Sequence, residues 1–137
     1  MLYKIFFVFF GAGLGGISRF ILSEYLIITF STKLPSSKFI AIYPYPTLII
    51  NVIGSTVIGF VSHLLLTKFP NYNTELEHFV IIGFLGCFTT FSSFALEAVN
   101  LLHNDYLYYF SLYILLSVII CLVGCFFGIL LARYIII

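Results

Sequence analysis

Long apolar stretches alternate with short polar ones along the whole chain. A helix needs roughly 20 mostly apolar residues to cross a bilayer. Four segments reach that length, at about 3–30, 46–67, 77–102 and 106–134. The stretches between them are turn-like. Residues 31–45 hold Lys33, Pro35, Ser36, Ser37, Lys38 and Pro44; residues 68–76 hold Pro70, Asn71 and Asn73; His103-Asn104-Asp105 forms a tight third link. No internal repeat, linker or low-complexity segment interrupts the series. The pattern predicts a single membrane domain over residues 1–137, an all-α integral membrane protein with four transmembrane helices.

The third segment departs from the plain apolar pattern. Gly86-Cys87-Phe88-Thr89-Thr90-Phe91-Ser92-Ser93-Phe94 packs a glycine, four hydroxyls and three phenylalanines into nine residues. Lipid offers backbone groups no hydrogen bonds, so irregular backbone at membrane depth survives only against protein or a water-filled path. Two readings compete. In one, the helix is broken or loosened at a permeation or binding site. In the other, small residues make a close helix contact. Further small pairs recur four residues apart: Gly11 with Gly15, Ala12 with Gly16, Ser55 with Gly59, and Gly124 with Gly128. Four helices enclose little interior, so these faces are expected to build an oligomer as well.

Composition places the chain firmly in the membrane. It is 62% hydrophobic and 8% charged, where a soluble domain carries about 25% charged residues. A net charge of +1 leaves no basic patch for nucleic acid. Lys4 and the apolar run after it resemble a secretory signal, but the run continues to Phe30 and no polar domain follows, so it reads as a retained first span. With four spans, Lys4, Lys68 and Arg133 share one side and Arg19, Lys33 and Lys38 the other. Positive residues usually mark the cytoplasmic side, and this near-even split permits both orientations.

Several polar positions suggest a site. Thr47, Asn51 and Ser55 fall four apart on one face of the second helix. Asn51 is costly in lipid and must face protein or water; it can bridge helices or donate to an ion. Tyr113, Ser117 and Cys121 repeat that spacing on the fourth helix, where Tyr113 equally suits an interfacial aromatic belt. Phe91 and Phe94 share a face, and aromatic ring edges carry positive potential. Glu97, near the end of its helix, reads as a proton or cation site or as a partner for Arg19; Arg19 reads as an anion-attracting vestibule group or a helix anchor. Cys87, Cys121 and Cys125 lack ligand-type neighbours and read as packing. His63, His78 and His103 share no spacing, and no catalytic motif occurs, so no enzyme is indicated.

These residues resemble the CrcB/Fluc family of fluoride channels, with matches in all four spans. Gly13-Leu14-Gly15-Gly16-Ile17-Ser18-Arg19-Phe20 is similar to the family's first-helix glycine run. Thr47-Leu48-Ile49-Ile50-Asn51-Val52-Ile53-Gly54-Ser55 resembles its second-helix motif. Residues Gly83 to Phe94 with Glu97 resemble its third-helix signature, and Tyr113 and Ser117 match the fourth-helix pair. The resemblance implies a break in the third helix and an antiparallel, dual-topology dimer in the cell membrane. It also implies passive fluoride export that lowers fluoride toxicity, along two paths at the dimer interface. Asn51, Phe91, Phe94, Ser93, Tyr113 and Ser117 would line each path. Arg19, Thr47 and Glu97 would be vestibule or structural groups. A structural sodium ion (Na+) at the dimer centre would be held by the backbone carbonyls of Gly86 and Thr89. The partner would be a second copy or a related subunit. Cys87 stands in place of a usual glycine and Ser93 in place of a common threonine. The competing functions are a small drug–proton antiporter, which needs a deeply buried carboxylate, and a non-transporting assembly subunit.

Overall fold

A computed structural model describes residues 1–34, 36, 42–68 and 73–136, omitting the side chains of Asn73, Thr74 and Ile136. The predicted turn residues Pro35, Ser37, Lys38, Pro70 and Asn71 lie outside the described residues. Every regular element among the described residues is helical. Among those residues, four helical stretches are long and apolar enough to cross a membrane: Leu2–Lys33, Tyr45–Lys68, Glu77–His103 and Leu107–Ile135.

The first is α1 (Leu2–Lys33) and the second α2 (Tyr45–Lys68). Lys33 and Lys68 sit in their last turns, where a cation meets the negative end of the helix dipole. Pro46 lies in the first turn of α2, where its missing N–H costs nothing. The third stretch is composite: a short turn, α3 (Asn73–Leu76), a π-helical segment (Glu77–Leu85), a further turn, α4 (Gly86–Phe88), and then α5 (Phe91–His103). The last helix is α6 (Leu107–Ile136).

The link from α5 to α6 is closed by a helix-ending motif. Asp105 has φ 61°, its N–H bonds the Leu102 carbonyl, and the N–H of Tyr106 bonds that of Leu101. Glycine usually fills this left-handed position; aspartate is one of the few side chains that tolerates it.

Packing divides the molecule into two pairs. The π-helical segment lies along α1, and α2 lies along α6. Both contacts are close because side chains are missing. A Cβ at Gly15 would meet the Phe84 carbonyl, one at Gly59 the Cys125 carbonyl, and one at Gly128 the Thr56 carbonyl. Gly11 and Gly15 of α1 are thus used within the chain, as are Gly59, Gly124 and Gly128. After Phe88 the third span changes partner: α5 leaves α1 and packs mainly on α6. A small core of Tyr43, Ala98, Leu101 and Tyr113 marks that contact.

Candidate functional site

The change of partner coincides with two residues that are not helical. Thr89 has φ −81°, ψ 159°, and Thr90 has φ −150°, ψ 119°. Two extended residues inside an apolar span free backbone groups that lipid cannot satisfy. The chain supplies partners of its own. Asn51 on α2 accepts the Thr90 N–H on Oδ1 (2.8 Å) and donates from Nδ2 to the Thr90 carbonyl (3.0 Å). Thr90 Oγ1 then caps α5 by accepting the Ser93 N–H (3.2 Å), and it also bonds the Ser93 hydroxyl (3.1 Å).

These diversions have a second effect. In an unbroken helix the Thr90 N–H would bond the Gly86 carbonyl, and the Ser93 N–H would bond the Thr89 carbonyl. Both N–H groups go to side chains instead. The oxygens of Gly86 and Thr89 therefore do not receive those two helical bonds; a backbone carbonyl is an uncharged, hard acceptor, of the kind that suits an alkali or alkaline-earth cation rather than an anion or a soft metal. Gly86 is exposed on the outer face of the chain. Among the described residues no group of three His, Cys, Asp or Glu side chains comes together for a metal.

The predicted site residues other than Tyr113 and Gly86 line two cavities, and Thr90 lines both. The first, about 400 Å³, is a groove lined by Asn51, Ser55, Thr89, Phe91, Phe94, Ser117 and Cys121, with apolar residues of α2 and α6. Phe91 is 79% exposed, and its ring centroid lies 5.4 Å from that of Phe94. Ser117 is 6% exposed, and its buried hydroxyl has no hydrogen-bond partner. Asn51 uses one of its two amide N–H donors on Thr90 and retains the other.

The second cavity, about 240 Å³, is lined by Arg19, Phe20, Ser23, Thr47, Ile50, Thr90, Ser93 and Glu97. Glu97 lies midway along α5 rather than at its end. It ties three helices together: Thr47 of α2 donates to its Oε1 (2.7 Å) and Tyr113 of α6 to its Oε2 (2.6 Å). Arg19 shares the cavity, yet both carboxylate oxygens take hydroxyl donors and no ion pair joins Arg19 to Glu97 among the described residues. Tyr113 is fully buried, its ring tilted against that of Phe94 (5.2 Å between centroids) and edge-on to Tyr43 (5.5 Å). It is therefore no belt residue. It lines neither cavity but joins them through Glu97 and Phe94.

Ser23 has no place in the site read along the chain, and Thr90 enters only within the Gly86–Phe94 run. Thr90 carried a signal of its own: it stands three residues before Ser93, the spacing of a hydroxyl cap on a new helix. Cys121 shares the spacing of four with Tyr113 and Ser117, whereas Ser23 carried no signal, since only the packing of α1 brings it to the cavity.

The family model described as "CrcB-like protein, Camphor Resistance (CrcB)" matches residues 6–129. Curated relatives named "Fluoride-specific ion channel FluC" align over most of the chain. That of Ruminiclostridium cellulolyticum is 42% identical over 111 residues, covering 81% of this chain and 82% of its own. That of Hahella chejuensis is 38% identical over 129 residues, 94% of each chain. That of Coxiella burnetii is 31% identical over 130 residues, 95% of this chain and 98% of its own. All three are named for ion conduction rather than for a catalysed reaction.

Proposed function

The chain belongs to the CrcB-like family, and we propose that it is a fluoride-selective channel of the cell membrane that exports fluoride passively and so reduces its toxicity. The observation that carries this reading is one groove whose lining brings together Asn51, with a spare amide N–H, Ser117, whose buried hydroxyl has no partner among the described residues, and the rings of Phe91 and Phe94. Fluoride is small and tightly hydrated. Conducting it requires donors that replace water without trapping the ion. Neutral N–H and O–H groups and positive ring edges meet that need, and the groove holds no lysine or arginine to bind too tightly. Arg19 stands in the neighbouring cavity, where it attracts anions towards Ser93 and Thr90. The names of the aligned relatives support the same substrate.

The groove is open on one side, and Phe91 and Gly86 point out of the chain. A second, antiparallel copy would close it and give two paths along one interface. The carbonyls of Gly86 and Thr89 fit a sodium ion at the centre of such a dimer. One chain offers two oxygens, too few to surround an ion, and a second copy would supply two more. Bound there, the ion would supply positive charge linking the two copies. A drug–proton antiporter needs a carboxylate open to both proton and substrate, and the oxygens of Glu97 are both engaged.

The test is fluoride efflux from liposomes holding the purified protein, read with a fluoride electrode, with chloride in parallel and valinomycin to clamp the potential. Rapid fluoride release with negligible chloride release is expected. Equal release of both ions, or of neither with a stable dimer present, would overturn the reading.

A further inference from the structure

Gly54 lies three residues beyond Asn51 on α2 and is buried. A Cβ built there would fall on the Thr89 methyl group and within 3.2 Å of Phe88 Cδ1. The rest of the Thr89 side chain is also held. Its hydroxyl donates to the Leu85 carbonyl at 2.9 Å, and its N–H bonds the same oxygen at 3.1 Å. Threonine has one stiff side-chain torsion. With Oγ1 tied to Leu85 and the methyl seated on Gly54, that torsion is fixed and the Thr89 backbone with it. Asn51, one turn earlier, fixes Thr90 through its N–H and carbonyl. One face of α2 thus holds both extended residues, the first by a vacancy and the second by an amide.

We propose that Gly54 is a positioning residue for the conduction site: the space left by its missing side chain is a socket for the Thr89 methyl and sets the direction of the Thr89 carbonyl. The inference rests on the channel reading and adds a residue to it. Gly54 differs from the glycines that only bring helices together. At Gly59 and Gly128 an added Cβ would meet the backbone of the facing helix, which no side-chain change relieves. At Gly54 the main obstruction is one methyl, and serine at position 89 removes it while keeping the hydroxyl bond to Leu85.

The experiment is a double-mutant cycle of Gly54→Ala and Thr89→Ser in the full chain, with Gly59→Ala for comparison. Two quantities are read: fluoride efflux, and the shift in melting temperature when sodium replaces N-methylglucamine. Overpacking at a tight site predicts that Gly54→Ala lowers efflux by at least about tenfold and abolishes the sodium shift. The double variant regains the sodium shift and comes within about threefold of Thr89→Ser alone in efflux. Thr89→Ser does not rescue Gly59→Ala, where the added Cβ meets the backbone carbonyl of Cys125. Full efflux in Gly54→Ala, or a folded double variant no better than Gly54→Ala, would overturn the inference. If the unaltered protein passes no fluoride, the channel reading fails by itself. The melting temperatures then still decide the socket: mutual relief supports it and simple additivity overturns it.

Discussion

The side chain of Asn51 pairs with the backbone of Thr90 as a neighbouring β-strand would, accepting from its N–H at 2.8 Å and donating to its carbonyl at 3.0 Å. One amide thereby satisfies both polar groups of an extended residue inside an apolar span. That pairing sits where the third span changes its packing partner from α1 to α6.

Asn51→Ala strands a donor and an acceptor, each costing about 1–3 kcal/mol when buried unpaired. Its melting temperature in detergent is expected to fall well below that of the unaltered protein, with fluoride efflux lost. Asn51→Asp keeps the acceptor but opposes the Thr90 carbonyl with a charge, and is expected to be no better than alanine. Efflux near the unaltered rate in either variant would contradict the role given to the pair.

Phe91 is largely exposed on a single chain, and Phe94 borders the groove. Replacing both with isoleucine keeps the apolar bulk and removes the ring edges. Fluoride efflux is expected to drop by at least about tenfold, while size-exclusion chromatography still shows the dimer. A purely structural subunit would lose nothing measurable.

Glu97 holds Thr47 and Tyr113 by separate oxygens. Thr47→Val and Tyr113→Phe each remove one hydroxyl donor to a carboxylate, a loss of about 1.5–3 kcal/mol. The two share one acceptor group, so thermal melts of the single and double variants are expected to be non-additive. Strict additivity would place the two bonds in separate networks.

Sodium binding at the carbonyls of Gly86 and Thr89 would stabilise the folded dimer by mass action, about 2.7 kcal/mol at a hundredfold excess over Kd. Melting temperature is expected to rise with sodium chloride and not with N-methylglucamine chloride. Cys87→Gly, beside those carbonyls, is expected to keep both the dimer and the sodium shift. A melt indifferent to sodium would remove the ion from the proposal.

Asp105 adopts φ 61° in the link between α5 and α6. Asp105→Gly relieves the left-handed backbone and is expected to raise stability by up to about 1 kcal/mol, whereas Asp105→Val lowers it by about as much or more. A thermal melt of each, both with unchanged fluoride efflux, checks the sign.

Much of this architecture could be read along the chain, because a bilayer asks for little else. Hydropathy alone marks four spans. The Gly86–Phe94 run stands out because hydroxyls and glycine are conspicuous among apolar residues, and spacing of four placed Thr47, Asn51 and Ser55 on one face. What spacing cannot supply is the rotation of one helix against another. It left Asn51 between bridge and ion contact, Tyr113 between a polar track and an interfacial belt, and Glu97 between a proton or cation site and a partner for Arg19. The hydrogen bonds that settle these places join residues 39, 50 and 16 positions apart. Such contacts depend on how α1, α2 and α6 pack around the third span. The seating of Thr89 on Gly54 belongs to the same class: a missing side chain has meaning only once the group that fills its space is known. Sequence determined which segments must leave water and which residues lipid would not tolerate; tertiary packing decided which of those residues satisfy one another and which are left facing the groove.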